Sequence, residues 1–566
     1  MRIRRQFLLV PALLACLCFC VNAYAQSQKF VVLPFNNLGM HCIDNGYSLF
    51  SLLPPFNVLH AQTIQVGPVP IVLSQGRISM SLRATADPTG SINSYSNGKS
   101  DFWQNVLSLF GVTLPGEDGI TGCKMPGLQN AWVPLTYEVK KNWFAANGIP
   151  ITPVDDAGNF NPFPLMTVAA FDVTNGAQLA STPVVLPVSS EAHCDVCHET
   201  GSDGASPGFH GVEKWSTASD VNLRTRENIL TLHDALNGTR LVKQEPVLCD
   251  DCHYSPALDL KGTGPTGSQI NPATGQSYSW TSRAIHRHHG SPQLNGVPIP
   301  DEGVNTCYYC HPGPVTQCLR GAMANAGIIC QNCHGGLLGV ANPARQPWID
   351  TPKCQSCHTG NAFDHIGGEL IGRIAHSGGV NLAVPIIAPS GQFSESPDCA
   401  NLGKFLLFRD SMGHAGSSVV PMVACSACHG SPHAEWPTTN PQANDNLTPA
   451  FIQGYSATIT ECSVCHGEGY IAPPGKELGG PHGIHTVNSP DWCGVGPVDH
   501  KVYLAKNPYS LYQCQGCHGL SLEGTPLSRV RTDRMFMTGP MMNNMLTIRK
   551  GTMISCNQCH VSPIQN

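Results

Sequence analysis

Lysine and arginine are scarce in this chain of 566 residues: 32 of them stand against 38 aspartates and glutamates, a formal net charge of −6. Such a balance argues against nucleic acid as a partner, since binding to a phosphate backbone rests on Lys and Arg. Long apolar runs are lacking too. After residue 25 no stretch of 18 apolar residues occurs, which excludes a transmembrane helix. With 57 glycines and 46 prolines, above the usual share, regular secondary structure is expected to be sparse over much of the chain.

Cysteine and histidine are what the chain has in plenty, 26 and 24 residues. Eighteen of the cysteines and nine of the histidines fall into one repeated signature, CxxCH. Three copies lie close together: CYYCH (Cys307, Cys310, His311), CQNCH (Cys330, Cys333, His334) and CQSCH (Cys354, Cys357, His358). The others are CDVCH (Cys194, Cys197, His198), CDDCH (Cys249, Cys252, His253), CSACH (Cys425, Cys428, His429), CSVCH (Cys462, Cys465, His466), CQGCH (Cys514, Cys517, His518) and CNQCH (Cys556, Cys559, His560). This is the pattern of covalent c-type haem attachment. Two thiols three positions apart add to the two vinyl groups on one porphyrin edge, and the next imidazole reaches the iron as proximal ligand. Paired CxxC also builds zinc sites and thiol redox pairs. Neither requires a histidine directly after all nine pairs.

Residues 1–25 read as an export signal: Arg2, Arg4 and Arg5, an apolar run from Phe7 to Cys20, and Ala23-Tyr24-Ala25 as a small-x-small cleavage site before Gln26. A competing reading takes Leu13-Leu14-Ala15-Cys16 as a lipoprotein box, but the residues after Cys16 stay apolar. Export fits haem attachment, which bacteria complete outside the cytoplasmic membrane. Loss of three arginines takes the charge from −6 to −9, and haem propionates make it more negative still. Five cysteines then remain outside the motifs: Cys42, Cys123, Cys318, Cys399 and Cys493. In an oxidising compartment two disulfides and one spare thiol are expected, with Cys42–Cys123 as a staple of the N-terminal region.

Residues 26–190 carry no motif but hold short β-rich segments, Lys29–Leu33, Thr63–Val72, Trp132–Val139, Met166–Val173 and Pro183–Val188, divided by turn residues in the manner of a β sandwich. Asp101–Phe110 reads as an amphipathic helix. His41 and His60 read best as satisfied structural residues, the sharper alternative being that His41 reaches a haem across the domain junction. From residue 191 onward there is one motif per about 42 residues, which leaves the macrocycles to serve as the core, wrapped in loops and short helices. The motif starts are offset by 55, 58, 23, 24, 71, 37, 52 and 42 residues, so two haem subdomains are expected, 191–380 with five motifs and 381–566 with four, joined by Pro-rich Ala383–Pro397.

Gly262-Thr263-Gly264-Pro265-Thr266-Gly267 matches GxGxxG, but Pro265 among loop residues offers neither the strand nor the helix that a dinucleotide site needs. The methionines of 535–553 read as flexible packing rather than axial sulfur. Thirteen histidines outside the motifs lie after residue 190. Distal ligands are expected from His210, His233, His286, His289, His365, His376, His414, His482 and His485, with His433 and His500 as nearest substitutes.

The phrases Cys307-Tyr308-Tyr309-Cys310-His311-Pro312-Gly313-Pro314, Gln317-Cys318-Leu319-Arg320-Gly321, Gly413-His414, Cys428-His429-Gly430-Ser431-Pro432-His433-Ala434, Gly480-Pro481-His482-Gly483-Ile484-His485, Cys517-His518-Gly519 and Gly524-Thr525-Pro526-Leu527-Ser528 carry a resemblance. Residues 191–566 resemble the multihaem c-type cytochromes of metal-reducing bacteria. The resemblance implies a low-potential electron carrier of the periplasm, outer-membrane surface or cell exterior, with other redox proteins or extracellular acceptors as partners. Some such proteins polymerise into conductive filaments; the β-rich front domain departs from the simplest filament subunits. Two functions compete: an electron conduit with nine six-coordinate haems and no substrate site, and an oxidoreductase acting on a small nitrogen or sulfur compound at one five-coordinate haem. No CxxCK occurs, so the lysine-ligated haem of pentahaem nitrite reductases has no counterpart, and the supply of histidines favours the conduit.

Overall fold

The computed structural model describes residues 29–291, 303–325, 327–348, 423–461 and 463–467, the strand pairs Ala375–Ser377 with Val380–Leu382 and Arg534–Thr538 with Asn544–Ile548, and isolated residues including His518. The export signal and the linker 383–397 fall outside the described residues.

The N-terminal part is two antiparallel sheets around one core. β1 (Phe30–Asn36), β4 (Asn57–Gln65), β9 (Trp143–Ile149) and β8 (Thr136–Glu138) pair in the order β1-β4-β9-β8, with β5 (Ile71–Val72) on β4. β11 (Gln178–Val185), β10 (Leu165–Asp172), β6 (Ile78–Thr85) and β7 (Val133–Pro134) form the second sheet in that order. Side chains alternate between the faces of a strand, and on β6 Ile78, Met80, Leu82 and Ala84 are buried while their neighbours are exposed or half-buried. They meet Met166 and Val168 from β10, and Val32, Leu59, Ala61, Phe144 and Ile149 from the first sheet. Full burial of such a side chain contributes about 1.5–3 kcal/mol. α1 (Phe102–Phe110) closes one end: Phe102, Val106 and Leu109 are buried, Tyr47 packs edge-on against Phe102 at 5.1 Å, and Gly111, at φ +65°, stops the helix.

The first sheet does not alternate. From Val31 to Asn36 every residue of β1 is buried, as is β4 up to Ile64. A strand covered on both faces reads as a continuous apolar run, and the second cover comes from far along the chain. Val31, Leu33, Phe35, Ile64, Trp143 and Ala145 form the outer face, and Ala424, Ala427, Val464 and Cys465 of two CxxCH segments pack upon it. Gln62 Oε1 accepts from Ala424 N at 2.9 Å.

Short strands tie the sheets to other motifs. β2 (His41–Cys42) runs parallel to β12 (Val188–Ser189), just before Cys194, and β3 (Phe50–Ser51) runs parallel to β13 (Val247–Leu248), just before Cys249. After α2 (Asp195–His198), α3 (Val221–Asn237) starts at Asp220, whose Oδ1 accepts from Leu223 N, and leans on the sheets through Arg226, which donates to Phe50 O. Asn228, fully buried in α3, donates to His198 O at 2.8 Å. None of the described helices is long and apolar enough to cross a membrane.

One expectation is corrected. Cys42 and Cys123 are not joined: both, like Cys318, are free thiols, with Cys123 in the turn Asp118–Lys124 against the sheet core and Cys42 beside β12. Across residue 380, Arg320 and Asp445 form a buried two-pronged ion pair (Nε–Oδ2 2.7 Å, Nη2–Oδ1 2.9 Å), with the guanidinium 4.7 Å from the centre of the Phe163 ring.

Two outcomes are expected. The fragment 29–190, made alone, exposes Leu33, Phe35 and Trp143; it should keep β-type circular dichroism but associate in size-exclusion chromatography. Asp445→Ala strands a guanidinium in a dry site, which should cost about 3–5 kcal/mol in urea unfolding.

Candidate metal centres

The motifs among the described residues are wound into one turn. His198 N donates to Cys194 O, His253 N to Cys249 O and His311 N to Cys307 O, each at 2.9 Å. α4 (Thr281–Gly290) precedes α5 (Val304–Tyr308), and the fourth and sixth motifs are themselves helices, α6 (Cys330–His334) and α7 (Cys425–His429). Positions i, i+3 and i+4 share one side of a helix, so both sulfurs and the imidazole of a motif face one way. Gly335 and Gly430, at φ +77° and +85°, end the turn directly after the histidine, in backbone space that suits glycine.

Opposite four of these histidines stands a second one from elsewhere in the chain. Ring centres are 6.3 Å apart for His198 and His289, 6.4 Å for His253 and His233, 6.0 Å for His311 and His286, and 6.2 Å for His334 and His433. Two imidazoles on opposite sides of one metal, each with a nitrogen–metal bond of about 2.0 Å, would have centres separated by roughly 6 Å. Rings stacked face to face stand closer, as His60 does on Trp143 at 4.3 Å, while tilted rings such as Phe102 and Phe110 stand at 6.1 Å. Among the described residues no group of three or more His, Cys, Asp or Glu gathers about one point; the imidazoles meet in twos.

The other ring nitrogen is held. Nδ1 donates to Ser279 O from His253 (2.7 Å), to Ser282 O from His286 (2.7 Å), to Ile285 O from His289 (2.9 Å), to Ile554 O from His518 (3.0 Å) and to Pro68 O from His466 (3.2 Å). Nδ1 of His233 lies 2.9 Å from Thr239 Oγ1, that of His429 3.4 Å from Thr458 Oγ1, and that of His433 3.6 Å from Cys318 Sγ. A carbonyl can only accept, so Nδ1 carries the proton and Nε2 keeps its lone pair, as a metal-bound histidine requires. Burial pushes His198, His311 and His334 down to about 4 and His433 to about 3, so all four rings are neutral donors at pH 7. His198 Nδ1 is buried without a partner. Gly204 lies against it, where an added Cβ would stand 3.3 Å from Nδ1 and 2.8 Å from Cys197 O.

The helix α4 serves two centres, since His286 and His289 are one turn apart and face His311 and His198. The third motif is locked in place by Glu191, whose carboxylate accepts from the backbone N–H of Gly313, Val315 and Thr316 and from His193. These residues fit a haem held by two thioethers and two imidazoles.

Of the distal candidates, His233, His286 and His289 stand opposite motif histidines. His433, ranked as a substitute, is the partner of His334; its place four residues after His429 was visible in Cys428-His429-Gly430-Ser431-Pro432-His433, but nothing in the sequence linked it to Cys330–His334. His210, at φ +49° on a tight turn, has its ring 4.4 Å from that of Phe209 and neighbours His288; among the described residues it faces no motif histidine. His376 stands in the strand Ala375–Ser377. Cys354, Cys357, His358, His365, His414, Cys462, His482, His485, His500, Cys514, Cys517, Cys556, Cys559 and His560 lie outside the described residues. His41 is structural, its Nε2 2.6 Å from Asn37 Oδ1, and His60 lies between Trp143 and Phe35.

No family model, curated protein or solved structure matches the chain.

Burial lowers His41 to about 4 and His60 to about 3. Both values lie below the unfolded value of about 6.5, so the unfolded chain binds protons that the fold refuses. Their contribution is fully present above pH 6.5 and is lost as pH falls from 6.5 towards 4, by about 1.4 kcal/mol per pH unit for each ring. Urea midpoints should drop over that range, less steeply in His60→Phe.

Proposed function

We propose that this protein is an exported electron carrier with nine covalently attached c-type haems, passing electrons along a chain of six-coordinate centres without acting on a bound substrate. The observation that carries the reading is the set of four imidazole pairs at 6.0–6.4 Å, each joining a CxxCH histidine to one from another segment. Bound haem supplies one-electron iron chemistry. The chain's own part would be to hold the group by the two thiols of a motif and by two imidazoles, His198 with His289, His253 with His233, His311 with His286 and His334 with His433; two nitrogen donors would leave no place for a small molecule, favour the ferric state over a Met/His pair and lower the potential. The Nδ1 atoms pinned on backbone carbonyls, in His253, His286 and His289, hold those rings in the ligating tautomer. The partners in keeping with this are other redox proteins, cytochromes or extracellular acceptors, in the periplasm or at the cell surface, and self-assembly is compatible with it.

Intact mass after denaturation should correspond to a chain starting near Gln26 with nine haems. Electron paramagnetic resonance of the oxidised protein should be low-spin throughout, and the reduced protein should not bind carbon monoxide. His433→Ala should open one centre, giving one high-spin signal and one equivalent of carbon monoxide, whereas His210→Ala should open none. Stoichiometric carbon monoxide binding by the unaltered protein would overturn the conduit in favour of an enzyme working at a five-coordinate haem.

A further inference from the structure

Cys42 is not joined to Cys123, and the strand that carries it shares neighbours with another cysteine, Cys318. Cys42 stands opposite Ser189 in the parallel pair of β2 and β12. Side chains of paired residues leave a sheet on the same face. Ser189 Oγ lies 2.9 Å from Thr316 Oγ1, two residues before Cys318. Met40, two residues before Cys42, packs with Phe163, Leu165 and Val185 in the cluster that Cys318 lies against. Leu38 O accepts from His433 N at 3.0 Å, and the same histidine's Nδ1 is 3.6 Å from Cys318 Sγ. After burial, the neighbour with most influence on the Cys42 thiol is Cys318, ahead of Asp44 two residues away.

Cys42 and Cys318 stand as free thiols in the structure, as Cys123 does; we propose that in the mature, oxidised protein Cys42 and Cys318 form a disulfide that fastens the N-terminal sheets to the segment following the third CxxCH motif. This rests on the reading of the protein as exported, since such links persist in oxidising compartments. The two thiols together give up two protons and two electrons as the S–S bond forms. A protein disulfide acting by thiol–disulfide exchange takes them up, its own S–S bond breaking to two thiols. Met40 of the Cys42 segment and Cys318 pack on one cluster with Phe163 and Leu165, which makes the link a structural staple and not a switch. The loop it closes runs from residue 42 to residue 318, so it restricts the unfolded chain strongly.

The test is a peptide map of the full-length, haem-loaded protein, unfolded without reductant in N-ethylmaleimide and digested with trypsin. Cys42 and Cys318 should carry no label and should appear in one joined pair of peptides, two hydrogens lighter than their sum, that separates on reduction. Reducing the protein should also lower its urea midpoint. Labelling of either residue, or Cys42 joined to any other cysteine, overturns the proposal. Haem mass on the CxxCH peptides is read in the same digest. Nine haems with Cys42 and Cys318 labelled sinks the disulfide alone, while a joined pair on haem-free peptides sustains it and sinks the cytochrome reading.

Discussion

The separation of about six ångströms between facing imidazoles is the constraint to which the second half of the fold answers. Two of the pairs draw together residues far apart in sequence: His198 with His289, and His334 with His433. Little else could. Between residues 191 and 348 the described buried apolar side chains are Ala205, Val212, Trp215, Leu230, Leu232, Tyr254 and Ala341, too few to order so long a stretch by burial alone. What replaces a side-chain core is local fastening: one-turn motif helices, the Glu191 carboxylate on three backbone amides, and Asn228 on His198 O. These contacts hold the first and third motif turns in place.

The N-terminal sheets supply the rigid side of this arrangement. One sheet spends its inner face on the other sheet and its outer face on the segments around Cys425 and Cys465. β2 and β3 grip the chain immediately before Cys194 and Cys249, and the Arg320–Asp445 pair locks segments from either side of residue 380 beneath Phe163. A charge pair so enclosed contributes little net stability, but it tolerates no other partner. Its value here is in fixing register. The region without motifs is thus the frame on which motif segments are hung.

Much of this was legible in the sequence, in proportion to how local its cause is. Asp101–Phe110 was readable because helical periodicity needs one segment only. Lys29–Leu33 and Met166–Val173 fall on β1 and β10, since apolar β-branched runs announce themselves. Trp143–Ile149 and Ile78–Thr85 went unread, although β9 and β6 lie inside their sheets: Ala145, Ala146, Asn147 and Gly148 carry little β preference, and Ser79, Ser81 and Arg83 dilute the pattern of β6. Pairing supplies what propensity did not. The motif histidines were readable from adjacency to their cysteines, whereas the meeting of His334 with His433 depends on contacts across 99 residues. No spacing rule encodes that.

The grip on Nδ1 varies along the set, and on the proposed reading this variation has a direction. A backbone carbonyl at 2.7–2.9 Å, as for His253, His286 and His289, draws the Nδ1 proton and makes Nε2 a stronger donor. A hydroxyl that could itself be the donor, as for His233, does this less; a sulfur at 3.6 Å, as for His433, does it least. Stronger donation favours ferric iron and lowers the potential. The centre between His311 and His286 should therefore lie below that between His334 and His433. Electrons entering on the side of α4 would then run downhill towards the seam where Cys318, His433 and the N-terminal sheets meet.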